Sequence, residues 1–169
     1  MKPLLQLIIV LCFPFAAFSQ DITGLWKGTM FNNATNQFLD YELVINKEKG
    51  KYTGFSHTWF LINDVKYYGV KKIKVHIAKD GKVIIEDGEL IANNYPIEPN
   101  KKVHQLNVLD LTNLDTEPVL DGLFVTNRTK EYKELTGYIN IKRVNPLSQS
   151  DLIQFLQKNN KSNDFASAK

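Results

Sequence analysis

The chain has one cysteine, Cys12, and it lies in an apolar N-terminal run rather than in the body of the sequence. Once that run is removed no thiol remains, which excludes a disulfide, a thiolate zinc site and a cysteine nucleophile. Arginine is scarce: Arg128 and Arg143 are the only two among 21 basic residues. The lysines are interspersed with Asp and Glu, so the one-sided basic patch of a nucleic-acid binder is not expected. No stretch matches a bilayer span of roughly 20 apolar residues followed by a basic stop. There is no nucleophile elbow, phosphate loop, dinucleotide fingerprint or zinc-protease helix. His57, His76 and His104 lack the carboxylate spacing of a zinc site, so neither a metal nor another cofactor is expected.

What is present begins with Lys2, a short positive start, followed by the apolar run Leu4 to Phe18. Ala17 and Ser19 precede a cut between Ser19 and Gln20, which makes residues 1–19 a secretory signal peptide. Leu11, not a small residue, stands before Cys12, so a lipid anchor is not expected. The remaining 150 residues carry a formal charge of +2. They suit one domain with a single core, located in the periplasm or outside the cell.

From residue 20 to 146 short alternating runs are separated by turn residues, the pattern of an all-β antiparallel barrel or sandwich. The runs are Ile22–Phe31, Phe38–Asn46, Lys51–Leu61, Lys66–Ala78, a strand after Asp80-Gly81, Val103–Leu111, Val119–Thr126 and Leu135–Val144. Asp80-Gly81 reads as a two-residue hairpin turn with both residues at positive φ. That turn sets Lys74 opposite Asp87, Lys72 opposite Glu89 and Val75 opposite Glu86. Glu86 then falls on the face of Ile73, Val75 and Ile77. Residues 92–102 are a polar, proline-containing connection. After Pro146 the period changes: Ser148 or Ser150 can cap a helix within 147–158, with Leu152, Phe155 and Leu156 on one face. Residues 159–169 read as a disordered tail.

The Gly24-Leu25-Trp26 motif on the first strand, eight antiparallel strands and Arg143 on the last resemble the lipocalin-like (calycin) barrels, in particular those that bacteria secrete. The resemblance implies an eight-stranded up-and-down β-barrel with a short C-terminal α-helix. It also implies that Arg143 packs across Trp26 at the closed end, a structural pair, and that a small molecule binds in the mouth.

Ligand sites are concave and mostly apolar with a few orienting polar groups. Tyr41, Phe55, Trp59, Tyr67 and Phe124 are the candidate lining rings, unless they only fill the core. His57, between Phe55 and Trp59, either polarises a ligand or sits at the rim. Glu86 is a carboxylate on an apolar face, hence a candidate site residue with a raised pKa. Its alternatives are an ion pair with an inward Lys71 or Arg143, and a bulge that turns Glu86 to water. The reading is a monomeric barrel that binds a small, mostly hydrophobic molecule. Two alternatives stay open: a barrel enzyme with Glu86 or His57 as acid/base, and a solid barrel acting as accessory subunit of an envelope complex.

Overall fold

The structure, a computed structural model, describes residues 21–114, 117–145 and 148–159. The signal-peptide expectation and most of the tail therefore fall outside the described residues. Eight strands follow one another: β1 (Gly24–Asn32), β2 (Gln37–Glu48), β3 (Lys51–Ile62), β4 (Val65–Ile77), β5 (Val83–Asn93), β6 (Gln105–Leu114), β7 (Glu117–Thr126) and β8 (Thr136–Val144). Each pairs antiparallel with its neighbour, and β1 pairs with β8, so the sheet closes into an up-and-down barrel. Pairing is shortest between β5 and β6, where only Val83–Glu86 of β5 have partners on β6. Strand ends differ from the pattern-based bounds by up to three residues, for example Gln105–Leu114 where the alternation marks Val103–Leu111.

Turn chemistry sets the register. Lys49-Gly50 and Asn63-Asp64 both have positive φ at the two central residues, and Glu48 pairs with Lys51 and Ile62 with Val65. These are the two-residue turns whose twist matches the strands. Asp80-Gly81 is different. The Gly81 N–H donates to the Ala78 carbonyl at 3.0 Å, the Ala78 N–H to the Lys82 carbonyl at 2.8 Å, and of this loop only Gly81 is left-handed (φ 88°). The loop is thus three residues long, and the pairing moves by one. Ile77 faces Val83, Val75 faces Ile85 and Lys74 faces Glu86. A one-residue slip exchanges the two faces of a strand. The expected pairings of Lys74 with Asp87 and Val75 with Glu86 are therefore replaced, and Glu86 lies exposed on the outer wall.

Inside, Ile22, Trp26, Ile45, Val75, Val83, Ile85, Leu109, Leu120, Ile139 and Ile141 form one apolar cluster. The β1–β2, β3–β4, β5–β6 and β7–β8 connections all lie at one end of the barrel, the mouth. The chain enters β1 and leaves β8 at the other end, the floor.

Helix α1 (Asp151–Lys158) packs on the outside wall. Its buried residues Leu152 and Leu156 cover Leu25, Val44, Phe55 and Val70. Full burial of each leucine stabilises by about 1.5–3 kcal/mol. Ser150 caps the helix, accepting from the Ile153 N–H at 3.2 Å. Glu42, from the outer face of β2, fixes that cap: its Oε2 accepts from Ser150 Oγ at 2.7 Å and from the Leu152 N–H at 3.0 Å. Lys27 Nζ balances the carboxylate at 2.9 Å. The helix therefore closes a wall rather than an end.

Candidate functional site

Strand alternation puts Trp26, paired with Arg143 across β1 and β8, on the inner face at the floor. The guanidinium carbon stands 4.9 Å from the Trp26 ring centroid. The indole N–H donates to the Ile22 carbonyl at 3.0 Å. An Arg143 N–H donates to the Asp21 carbonyl, which anchors the segment before β1. Burial pushes the Asp21 carboxyl up. Hydrogen bonds from Thr23 and the charges of Arg143 and Lys47 outweigh it and hold the group below its ordinary value. These contacts close the floor and stack a cation on an indole, worth about 0.5–2 kcal/mol.

Toward the mouth the interior changes character. Tyr41 on β2, Ser56 on β3, Lys71 on β4, Asp87 on β5, and Gln105 and Asn107 on β6 all point inward at that level. Asn107 Nδ2 donates to the Tyr41 hydroxyl at 3.1 Å, and Gln105 Nε2 donates to Asn107 Oδ1 at 2.7 Å. Ser56 is hydrogen-bonded to the same phenol. The Gln105 N–H donates to Asp87 Oδ2 at 3.3 Å, and the Lys71 ammonium pairs with that oxygen. The Asp87 side chain is 5% exposed and the Lys71 side chain 26%, so the cation is the more accessible member. Burial, reinforced by the Asp87 charge, drives the Tyr41 phenol above its ordinary value, so it stays a neutral donor and acceptor. Buried polar groups linked in this way are costly to leave half satisfied and orient whatever joins them.

Rings surround this row. Tyr67 faces inward from β4 and stacks on Phe60 with centroids 5.7 Å apart. Tyr95, from the β5–β6 connection, packs on Phe60 at 5.1 Å with its hydroxyl against Gly69 of β4. Gly69 permits this, because a Cβ there would stand 2.0 Å from the Tyr95 hydroxyl. Burial and then the Asp87 charge push the Tyr95 phenol up to about 12. Phe124, buried, reaches in from β7 beside Asn107.

Of the lining residues expected from sequence, Tyr41, Tyr67 and Phe124 lie on the inner face. Phe55, His57 and Trp59 do not: the β2–β3 register pairs His57 with Glu42 and puts all three on the outer wall. Phe55 packs under α1. The His57 ring lies 3.7 Å from that of Trp59 and edge-on to Tyr68 at 5.4 Å. Both its nitrogens are buried without a hydrogen-bond partner. Burial pushes its pKa down to about 4; Glu42 and Asp151 oppose this and Lys66 assists it. Glu86 faces Lys74 outside, and the inward carboxylate is its neighbour Asp87.

A pocket of about 290 Å³ opens on the outer wall, between the start of α1 and β1–β3, lined by Lys27, Asp40, Glu42, Trp59 and Asp151 among others. Its charges largely serve one another: Glu42 holds Lys27 and the helix cap, and Asp40 holds Lys66 at 2.9 Å. It reads as the seam along which the helix is docked. Among the described residues no group of three or more His, Cys, Asp or Glu is placed to hold a metal. No described helix is long and apolar enough to cross a membrane.

Lys71 was legible as inward, but as a partner for Glu86. Asp87, Gln105, Asn107 and Tyr95 escape the sequence reading. The first depends on the register slip, the middle two look like solvent-facing residues, and Tyr95 lies in a connection without periodicity. No protein-family model matches the chain, and the comparison with curated proteins found no match.

Proposed function

We propose that this chain is an exported, lipocalin-like barrel that binds a small amphipathic molecule in the mouth half of its interior. The apolar part of the molecule packs against Phe60, Tyr67, Tyr95 and Phe124. Its polar end joins the row formed by Tyr41, Asn107, Gln105 and Lys71. The observation that carries this reading is the buried polar row itself. A barrel whose interior served only as a core would gain more stability from aliphatic side chains at those positions. Two further features support it: the gradient from apolar floor to polar mouth level, and Tyr95, which packs on Phe60 with its hydroxyl against Gly69. Export rests on the N-terminal pattern of residues 1–19, and the lipocalin-like kinship on Gly24-Leu25-Trp26, Arg143 and the closed eight-stranded topology.

The acid/base alternative finds little support, since Glu86 and His57 both face away from the interior. The test is the double substitution Lys71→Met/Asp87→Leu. It exchanges the ion pair for apolar side chains of similar size, which is often neutral for stability. Ligand extracted from the wild-type protein, identified by mass spectrometry and titrated back, is expected to bind at least about tenfold more weakly to the folded variant. Equal affinity would remove the row from the site.

A further inference from the structure

Eleven large apolar side chains are exposed among the described residues, and their distribution is uneven. Ile77, on the floor side, is one. The other ten lie in the mouth half, and every connection at that end contributes or is flanked by one. Phe38 (72% exposed) flanks the β1–β2 turn, and Ile62 (42%) and Val65 (51%) flank the Asn63-Asp64 turn between β3 and β4. Ile97 (76%) stands on the β5–β6 connection, and Tyr132 (47%) and Leu135 (36%) on the β7–β8 connection. The groups at the connections surround the opening, while Leu123, Val125 and Tyr138 lie beside them on the outer wall of β7 and β8. The β5–β6 and β7–β8 connections also carry five basic residues (Lys101, Lys102, Arg128, Lys130, Lys133) against three acidic ones, and the exposed Asp64 of the β3–β4 turn is a fourth acidic residue at this end. Glu98 pairs with Lys101 at 3.8 Å, and Glu131 accepts from Asn100 at 2.9 Å.

We propose that the mouth end is a docking face for an anionic lipid surface, with the apolar ring inserted among the acyl chains and the basic side chains at the headgroups. A ring of apolar tips drawn from four separate connections fits a flat, fluid surface better than a folded partner, which would need a groove or a matched patch. Exposed apolar tips joined to basic residues are the combination that holds a protein at a bilayer interface. The purpose of docking, exchange of an apolar molecule between bilayer and barrel without crossing water, rests on the ligand-binding reading. The face itself does not.

The experiment is vesicle co-sedimentation of the purified protein, its N-terminus first determined by mass spectrometry because residues 1–19 are themselves apolar. Vesicles of phosphatidylcholine alone are compared with vesicles containing one third phosphatidylglycerol (about 30%, within the anionic range of natural bilayers). Wild type is expected to sediment with the anionic vesicles and to be released by salt. Ile62→Asp/Ile97→Asp, at two exposed loop tips, is expected to lose about tenfold or more in partitioning with an unchanged circular dichroism spectrum. Ile77→Asp, at the other end, is expected to bind as wild type does. Absence of binding to either vesicle, or equal binding by the loop variant, would overturn the proposal. So would a concentration-dependent dimer abolished by the same loop substitutions in the absence of lipid, since the ring would then cover a second copy. Ligand affinity measured without vesicles is read separately, so a failure of the ligand reading is distinguishable from a failure of docking.

Discussion

His57 gives the sharpest quantitative handle on how the helix is held to the barrel. Its imidazole is buried between Trp59, Tyr68 and the start of α1, with both nitrogens unpartnered. Its pKa is pushed from an ordinary 6.5 down to about 4. Between those values the unfolded chain binds a proton that the folded chain refuses. Stability is therefore complete above about pH 6.5 and falls as pH drops through this window, levelling below about 4. The full depression is equivalent to about 3 kcal/mol, and solvent at the edge of the adjoining pocket screens it to about 2 kcal/mol. His57→Phe removes the titration and also the two unsatisfied nitrogens, so at pH 7 it is expected to be neutral or to stabilise by about 1 kcal/mol. Urea denaturation followed by tryptophan fluorescence at pH 7 and pH 4.5, in both proteins, reads the difference directly. Carboxylates contribute equally to the two proteins and cancel. Wild type should lose about 2 kcal/mol more than the variant over this interval. An identical loss in both would refute the buried, unpartnered imidazole.

Three further perturbations follow from the same structure. Arg143→Ala removes the cation from the Trp26 face and opens the floor; urea denaturation should show a loss of about 2 kcal/mol. Glu42→Ala leaves the Ser150 hydroxyl and the Leu152 N–H without their acceptor and Lys27 without its counter-ion. Hydrogen exchange should show α1 losing its protection while β5–β8 keep theirs, with a global cost of about 2–3 kcal/mol. Gly69→Ala puts a Cβ where the Tyr95 hydroxyl lies. The ring should swing out, and spectrophotometric titration should show one phenol moving from about 12 toward its ordinary value near 10. An unchanged titration curve would contradict the packing of Tyr95 against Gly69.

Much of the architecture could be read before the coordinates, because a strand with one buried face alternates and eight such runs leave few other arrangements. The misreadings have physical causes. Alternation identifies two faces but not which one is the interior. On β3 the outer face (Phe55, His57, Trp59) is more aromatic than the inner one (Gly54, Ser56, Thr58), because α1 covers the outer one. Phe55, His57 and Trp59 therefore looked like pocket lining while packing beneath or beside the helix. The Asp80-Gly81 pair carries the residues of a two-residue turn, yet Gly81 alone takes the left-handed conformation, and the added loop residue exchanged Glu86 for Asp87 on the inner face. Asn107 is buried against Tyr41 on another strand, and Gln105 is half-buried with its side chain on Asn107 and its backbone N–H on Asp87, contacts that no apolar pattern reveals. Trp26 and Arg143 were found because their pairing was implied by a resemblance rather than by spacing.

The account turns on whether the mouth half of the barrel holds a molecule. Native mass spectrometry of the protein purified from its own host measures this most directly. The expected spectrum contains, beside the bare chain, an adduct of one small molecule that disappears in Lys71→Met/Asp87→Leu. A spectrum of the bare chain alone in both proteins, with no lipid-like or aromatic probe retained on addition, would contradict it.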